Sequence, residues 1–110
     1  MMDKIIVSYK LKPGKTAGEY EEYFKKEKYA VVMSFPSVSG FRLFRVAQTI
    51  EGTKQADFIG EIIVESIEKY AKDRETPEFK KFIEKWLPFV IPESINVSVV
   101  KEVSPDNINF

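Results

Sequence analysis

Hydrophobic and polar positions alternate with a period of two over residues 3–11. Ile5, Val7, Tyr9 and Leu11 fall on one face, and Ile6, Ser8 and Lys10 on the other. Pro13-Gly14 ends this strand as a turn. The period then becomes helical. Thr16 followed by Glu19 is a capping-box pattern, so the first helix is predicted to begin at Ala17. On a regular α-helix Tyr20, Phe24, Val31 and Phe35 lie within about 60° of one another, and this stripe is the expected buried face. Glu27 falls inside the stripe, Lys28 on its flank, and Tyr29 points away. Phe35-Pro36-Ser37 breaks the helix.

A second strand is predicted over 38–48, with Phe41, Leu43 and Arg45 on one face and Arg42, Phe44 and Val46 on the other. Glu51-Gly52-Thr53-Lys54 reads as a hairpin loop leading into an antiparallel third strand over 57–65. Gly60 in the middle of that strand signals a bulge or the close approach of a bulky group. Ser66 caps a short helix through Lys72, and Thr76-Pro77 restarts it with threonine as N-cap and proline at the first helical position. Phe79, Phe82, Ile83, Trp86 and Val90 form its apolar stripe. A fourth strand is predicted over 95–103.

The order β-α-β-β-α-β predicts an α+β, ferredoxin-like fold: a four-stranded antiparallel sheet with two helices on one face. Residues 1–103 form one domain, and 104–110 a polar tail closing on Ile108 and Phe110. Both faces of the sheet are partly apolar: Ile6 opposes Ile5 and Val7, Ile59 and Ile63 oppose Phe58, Ile62 and Val64, and Val100 opposes Val97 and Val99. Helices cover only one face, and a bare apolar sheet exceeds what monomers tolerate. The second face is therefore expected to pack on a two-fold copy, giving a homodimer.

Composition narrows the chemistry. Lysine plus arginine equals aspartate plus glutamate at 17 each, with signs interleaved along the chain. That balance supplies no basic face for nucleic acid or an anionic membrane, so neither is expected as a partner. The chain has no cysteine and no histidine. Thiolate metal sites, haem ligation through histidine and histidine general bases are excluded, and neither a metal nor a cofactor is expected. No signal-like or membrane-length apolar run occurs, so a cytoplasmic protein is expected. Pro13-Gly14-Lys15-Thr16 lacks the upstream glycine spacing of a phosphate-binding loop.

The run Lys28-Tyr-Ala-Val-Val-Met-Ser-Phe-Pro-Ser-Val-Ser-Gly-Phe-Arg-Leu-Phe-Arg45 resembles the helix-to-strand segment of the dimeric α+β barrel superfamily. It is most similar to the EthD-like and RedY-like branches, the latter associated with prodigiosin-type pigment biosynthesis. Tyr9-Lys-Leu-Lys-Pro-Gly14 with Glu19-Tyr20, and Thr76-Pro-Glu-Phe79 leading into Trp86 and Phe89, are similar to its other segments. The resemblance implies a homodimer of facing sheets and an apolar cavity between each sheet and its helices. It embraces cofactor-free monooxygenases, cyclases and isomerases, haem enzymes, and proteins without established activity. Many EthD-like members carry a histidine about eight residues before the turn proline. Here that position is Lys28.

Several residues are candidates for a site. Tyr9, on the strand face beneath the helices, is able to orient a phenol or carbonyl through its hydroxyl, or to serve as core. Glu27 and Lys28 lie on or beside a buried stripe; either turns out to water, or it is a desolvated acid–base group. Glu61, an acid sharing its face with Ile59 and Ile63, lines a pocket, pairs across the dimer or ends in solvent, with Arg42 or Arg45 on the neighbouring strand as an available partner. Tyr9, Glu61 and Lys28 are thus the candidate catalytic groups, and Tyr20, Phe24, Glu27, Phe82 and Trp86 the candidate ligand wall. Two functions fit. One is a cofactor-independent enzyme (monooxygenase, cyclase or isomerase type) acting on an aromatic, pyrrole-like or polyketide-like compound. The other is a non-catalytic dimeric module whose aromatic side chains fill its own core.

Overall fold

The computed structural model describes residues 2–105. Strands β1 (Asp3–Tyr9), β2 (Val38–Arg45), β3 (Phe58–Val64) and β4 (Asn96–Val100) form one antiparallel sheet in the order β2-β3-β1-β4. This is the ferredoxin-like topology expected from the element order. Ile108 and Phe110 of the tail lie outside the described residues.

The sequence signals act where they were read. Thr16 caps α1 (Ala17–Tyr23) in a complete capping box with Glu19. Ser66 caps α3 (Ile67–Asp73) by accepting from the Lys69 amide, and Thr76 caps α4 (Pro77–Trp86) by accepting from the Phe79 amide. The strands are shorter than the alternation suggested, because each stops where its partner stops. β4 ends at Val100, opposite Lys4 near the start of β1. β2 ends at Arg45, opposite Phe58 at the start of β3, so the connection between them spans 46–57, longer than the loop read around 51–54.

The first helix departs from the regular wheel. After α1 comes a π-helical turn (Phe24–Lys28), where the Tyr29 amide donates to the Phe24 carbonyl, and then α2 (Tyr29–Met33). A π turn accommodates one extra residue. Downstream of it the inward positions move on by one: Lys28 and Val32 are buried in place of Glu27 and Val31. The expected placing of Glu27 inside the stripe is thus corrected; it is exposed, with Lys85 4.0 Å away.

The core lies between the sheet and the helices in two adjoining clusters. Ile5, Val32, Phe35, Phe41, Ile62 and Phe79 belong to one, and Tyr9, Tyr20, Phe58, Trp86 and Val90 to the other. The turn after α2 is fastened to the end of α3 by buried Asp73. Its carboxylate accepts from the Ser37 amide at 2.9 Å and the Ser37 hydroxyl at 2.5 Å. On the opposite sheet face Ile6, Ile59, Ile63 and Val100 stand half-buried, with no helix above them among the described residues.

Candidate functional site

The π turn aims Lys28 at a point where β1, α1 and α4 converge. Its residue is only 5% exposed, and its Nζ lies 3.1 Å from Tyr9 Oη and within hydrogen-bonding distance of Tyr20 Oη. The two phenols are themselves 2.5 Å apart, and Trp86 Nε1–H donates to Tyr20 Oη at 2.8 Å. Around the amine stand the rings of Tyr9, Tyr20, Phe41 and Trp86, with centroids 4.9–5.7 Å from Nζ. The quadrupole of each ring face offers a cation some compensation for lost water. Among the described residues no carboxylate lies within ion-pairing distance of Lys28.

Burial alone brings the Lys28 amine down to about 7, from 10.5. Burial likewise pushes the Tyr9 and Tyr20 phenols well above their ordinary range, Tyr20 further because of its neighbour Tyr9. Near neutral pH the cluster therefore holds two protonated phenols beside an amine balanced between its charged and neutral forms.

Hydrogen-bond capacity separates the roles. Tyr20 Oη, with one donor and two acceptor positions, is saturated by Tyr9, Lys28 and Trp86. Tyr9 Oη has two partners and one position to spare, and the Lys28 amine also retains unused capacity. Lys28 and Tyr9 both line an apolar cavity of about 190 Å³ between sheet and helices; Tyr20 stands behind them. The remaining wall includes Val32, Phe41, Gly60, Phe82, Trp86 and Val97. Gly60 forms no bulge: a Cβ there would lie 3.4 Å from the Phe41 ring, so the absent side chain leaves room for that ring. The cavity exceeds the roughly 150 Å³ apolar void that accepts benzene, and is smaller than most drug-sized sites. It suits one or two rings.

At the other end of a row of rings formed by Trp86, Phe82 and Phe79 lies Arg74, which also lines the cavity. Its guanidinium sits 5.7 Å from the Phe79 ring centroid and 6.0 Å from that of Tyr70. Neither Arg74 nor Tyr70 was singled out in the sequence. Arg74 stands at the end of a short, charge-rich helix, and its adjacency to the aromatic wall is purely tertiary.

The candidates divide accordingly. Tyr9, Lys28, Phe82 and Trp86 line the cavity, and Tyr20 supports them from behind. Phe24 packs on Phe41 and Tyr29 outside it. Glu27 faces water. Glu61 is also misplaced as a cavity group: strand alternation puts Gly60 and Ile62 on the cavity side and Glu61 on the opposite face. There it accepts from Arg42 at 2.9 and 3.0 Å and lies 3.4 Å from Lys4. Arg42, by these hydrogen bonds, holds the Glu61 carboxyl below its usual range.

Residues 3–101, nearly every described residue, match the family described as REDY-like protein HapK. The chain belongs to that family. The structure of HapK from Hahella chejuensis superposes with a TM-score of 0.74 at 17% identity, over 94% of this chain and 93% of that one. An ethyl tert-butyl ether d (EthD) family protein from Bacillus halodurans gives 0.69 at 17% identity, over 94% and 100%. SnoaB, described as a cofactor-independent oxygenase from Streptomyces nogalater, gives 0.69 at 11%, over 94% of each chain. At these identities the likeness establishes the fold. No match is found among curated proteins. Among the described residues no helix is long and apolar enough to cross a membrane.

Proposed function

We propose that this member of the HapK family binds a small aromatic or polyketide-like compound in the helix–sheet cavity and performs proton transfer on it without a cofactor. The reading is carried by one observation: a buried primary amine, with no carboxylate partner among the described residues, lines an otherwise apolar cavity. An unpaired buried charge is among the most unfavourable groups a core can hold. Lys28 as mere filling would be better replaced by methionine. A neutral amine at physiological pH accepts a proton from an acidic phenol or enol, and the Tyr9 hydroxyl orients the oxygen that loses it. Tyr20 and Trp86 hold these two groups in place. The 190 Å³ of unfilled space favours a ligand site over a core filled by its own aromatics. That SnoaB is described as a cofactor-independent oxygenase lends support to chemistry of this class.

The working unit is proposed to be a homodimer, formed through the sheet face carrying Ile6, Ile59, Ile63 and Val100. A neighbour described as a dimeric ferredoxin-like protein from Thermobifida fusca supports a dimer as such.

Titration with 2-naphthol, followed by its fluorescence, tests the site. Lys28→Met and Tyr9→Phe are expected to weaken binding at least tenfold, a loss of about 1.4 kcal/mol or more. Glu61→Gln, on the far sheet face, is expected to leave binding unchanged. Equal affinity in all four proteins would refute the assignment of Lys28 and Tyr9. Val32→Phe, which places a ring in the cavity, is expected to abolish binding without the roughly 1–3 kcal/mol penalty of overpacking a filled core.

A further inference from the structure

The lone pair that accepts a proton in the reading above is also able to add to a carbon, and the surroundings of the amine show which ligand group would draw that second use. We infer that the ligand presents an aldehyde or ketone on an apolar, ring-sized body, and that Lys28 Nζ adds to its carbonyl carbon to form an imine inside the cavity. The inference rests on the proposed ligand site and adds the substrate class.

A lysine becomes a nucleophile when its lone pair is free, which requires that nothing nearby hold it as a cation. The groups facing Lys28 are Tyr9 from β1, Tyr20 from α1, Phe41 from β2 and Trp86 from α4. None carries charge near neutral pH. Lys26 and Glu27, its neighbours on the helix, are exposed, Lys26 paired with Glu22 at 3.0 Å. Arg74 shares the cavity but repels rather than stabilises an ammonium. An amine in this setting has a neutral fraction roughly a thousandfold above that of an ordinary surface lysine at pH 7. A carboxylate ligand would call for a fixed cation at this end, whereas a carbonyl is matched by a lone pair beside a phenolic donor.

The step balances with groups already present. The nitrogen lone pair forms the C–N bond, and the carbonyl π pair moves to oxygen, which takes a proton from Tyr9 Oη. The proton released by nitrogen returns to that phenol. In the resulting carbinolamine the nitrogen lone pair forms the C=N bond as the C–O bond breaks; the oxygen leaves as water with a second proton from Tyr9 Oη, and the remaining N–H proton returns to that phenol. Ligand carbonyl plus lysine amine thus gives imine plus water, with nothing oxidised or reduced. Tyr9, bonded to both Lys28 and Tyr20, is placed to carry the proton both ways.

Benzaldehyde with sodium cyanoborohydride at pH 7 is the probe, because reduction fixes an imine as a stable benzyl amine. Peptide mapping is expected to find Lys28 labelled at least tenfold faster than any exposed lysine. Saturating 2-naphthol is expected to suppress that labelling, Lys28→Met to remove it, and Tyr9→Phe to slow it at least tenfold. Labelling spread over surface lysines with Lys28 unmodified overturns the inference. If 2-naphthol still binds in that case, only the imine falls; if it does not, the ligand site falls with it.

Discussion

Lys28 is a residue whose position works against stability and so calls for a function. Its folded amine lies near 7 and its unfolded one near 10.5. Between those values the unfolded chain binds a proton that the folded chain lacks, so stability is expected to rise with pH from about 7 toward 10. Tyr9 and Tyr20 reverse the trend above their ordinary value of 10.0, because both stay protonated in the fold while the unfolded chain ionises. Urea unfolding across this range is expected to show a maximum near the top of the window. In Lys28→Met the rising limb is expected to flatten, with a gain at pH 6 of about 1–4 kcal/mol, as when buried ionic groups give way to apolar ones. A wild-type curve flat from pH 7 to 10 would place the amine in water. Loss of ligand binding alongside gained stability would be the expected exchange at a functional position.

At the scale of elements, the π turn decides which side of the first helix is wet. A regular α-helix buries Glu27 and Val31; the observed one exposes both and buries Lys28 and Val32. Val32→Ala is therefore expected to destabilise by about 1–3 kcal/mol, the scale of burying a valine side chain, and Val31→Ala by no more than about 0.5 kcal/mol. The opposite order, read by chemical denaturation, would show that the helix is regular. This turn also marks where the sequence stopped being legible. Capping residues, strand alternation and the Gly60 signal are local, and each was read correctly from neighbours in the chain. A π turn has no comparable signature: Phe24-Lys-Lys-Glu-Lys28 carries no Gly or Pro, and its extra residue is accommodated by packing on the sheet. One displaced residue moved the charge in the core from Glu27 to Lys28. Tyr9, Phe82 and Trp86 are legible from strand and helix periodicity. For Glu61 the sequence offers both a cavity and a pair with Arg42, and the structure has the pair; an apolar row announces burial without saying against what.

For the whole molecule, one face of the sheet positions the site and the other is the face proposed for assembly. The half-buried isoleucines around the Glu61–Arg42 pair are expected to meet their counterparts in a second chain, where stable interfaces bury more than about 1,000 Å². Ile6→Asp or Val100→Asp is expected to shift the sedimentation coefficient from dimer toward monomer; an unmodified protein that is monomeric at micromolar concentration would contradict the dimer. Lys28 and Tyr9, the groups proposed to hold the ligand, come from the same chain, so ligand affinity in a folded monomeric variant is expected to change less than fivefold. The central claim is that a free, desolvated amine presides over an open apolar cavity. It is tested most directly by NMR titration of the protein carrying ¹³C at the lysine ε-carbons, with and without 2-naphthol. One lysine resonance titrating near pH 7, absent in Lys28→Met and shifted by the ligand, is the expected result. All lysines titrating near their ordinary 10.5, with none responding to the ligand, would contradict it.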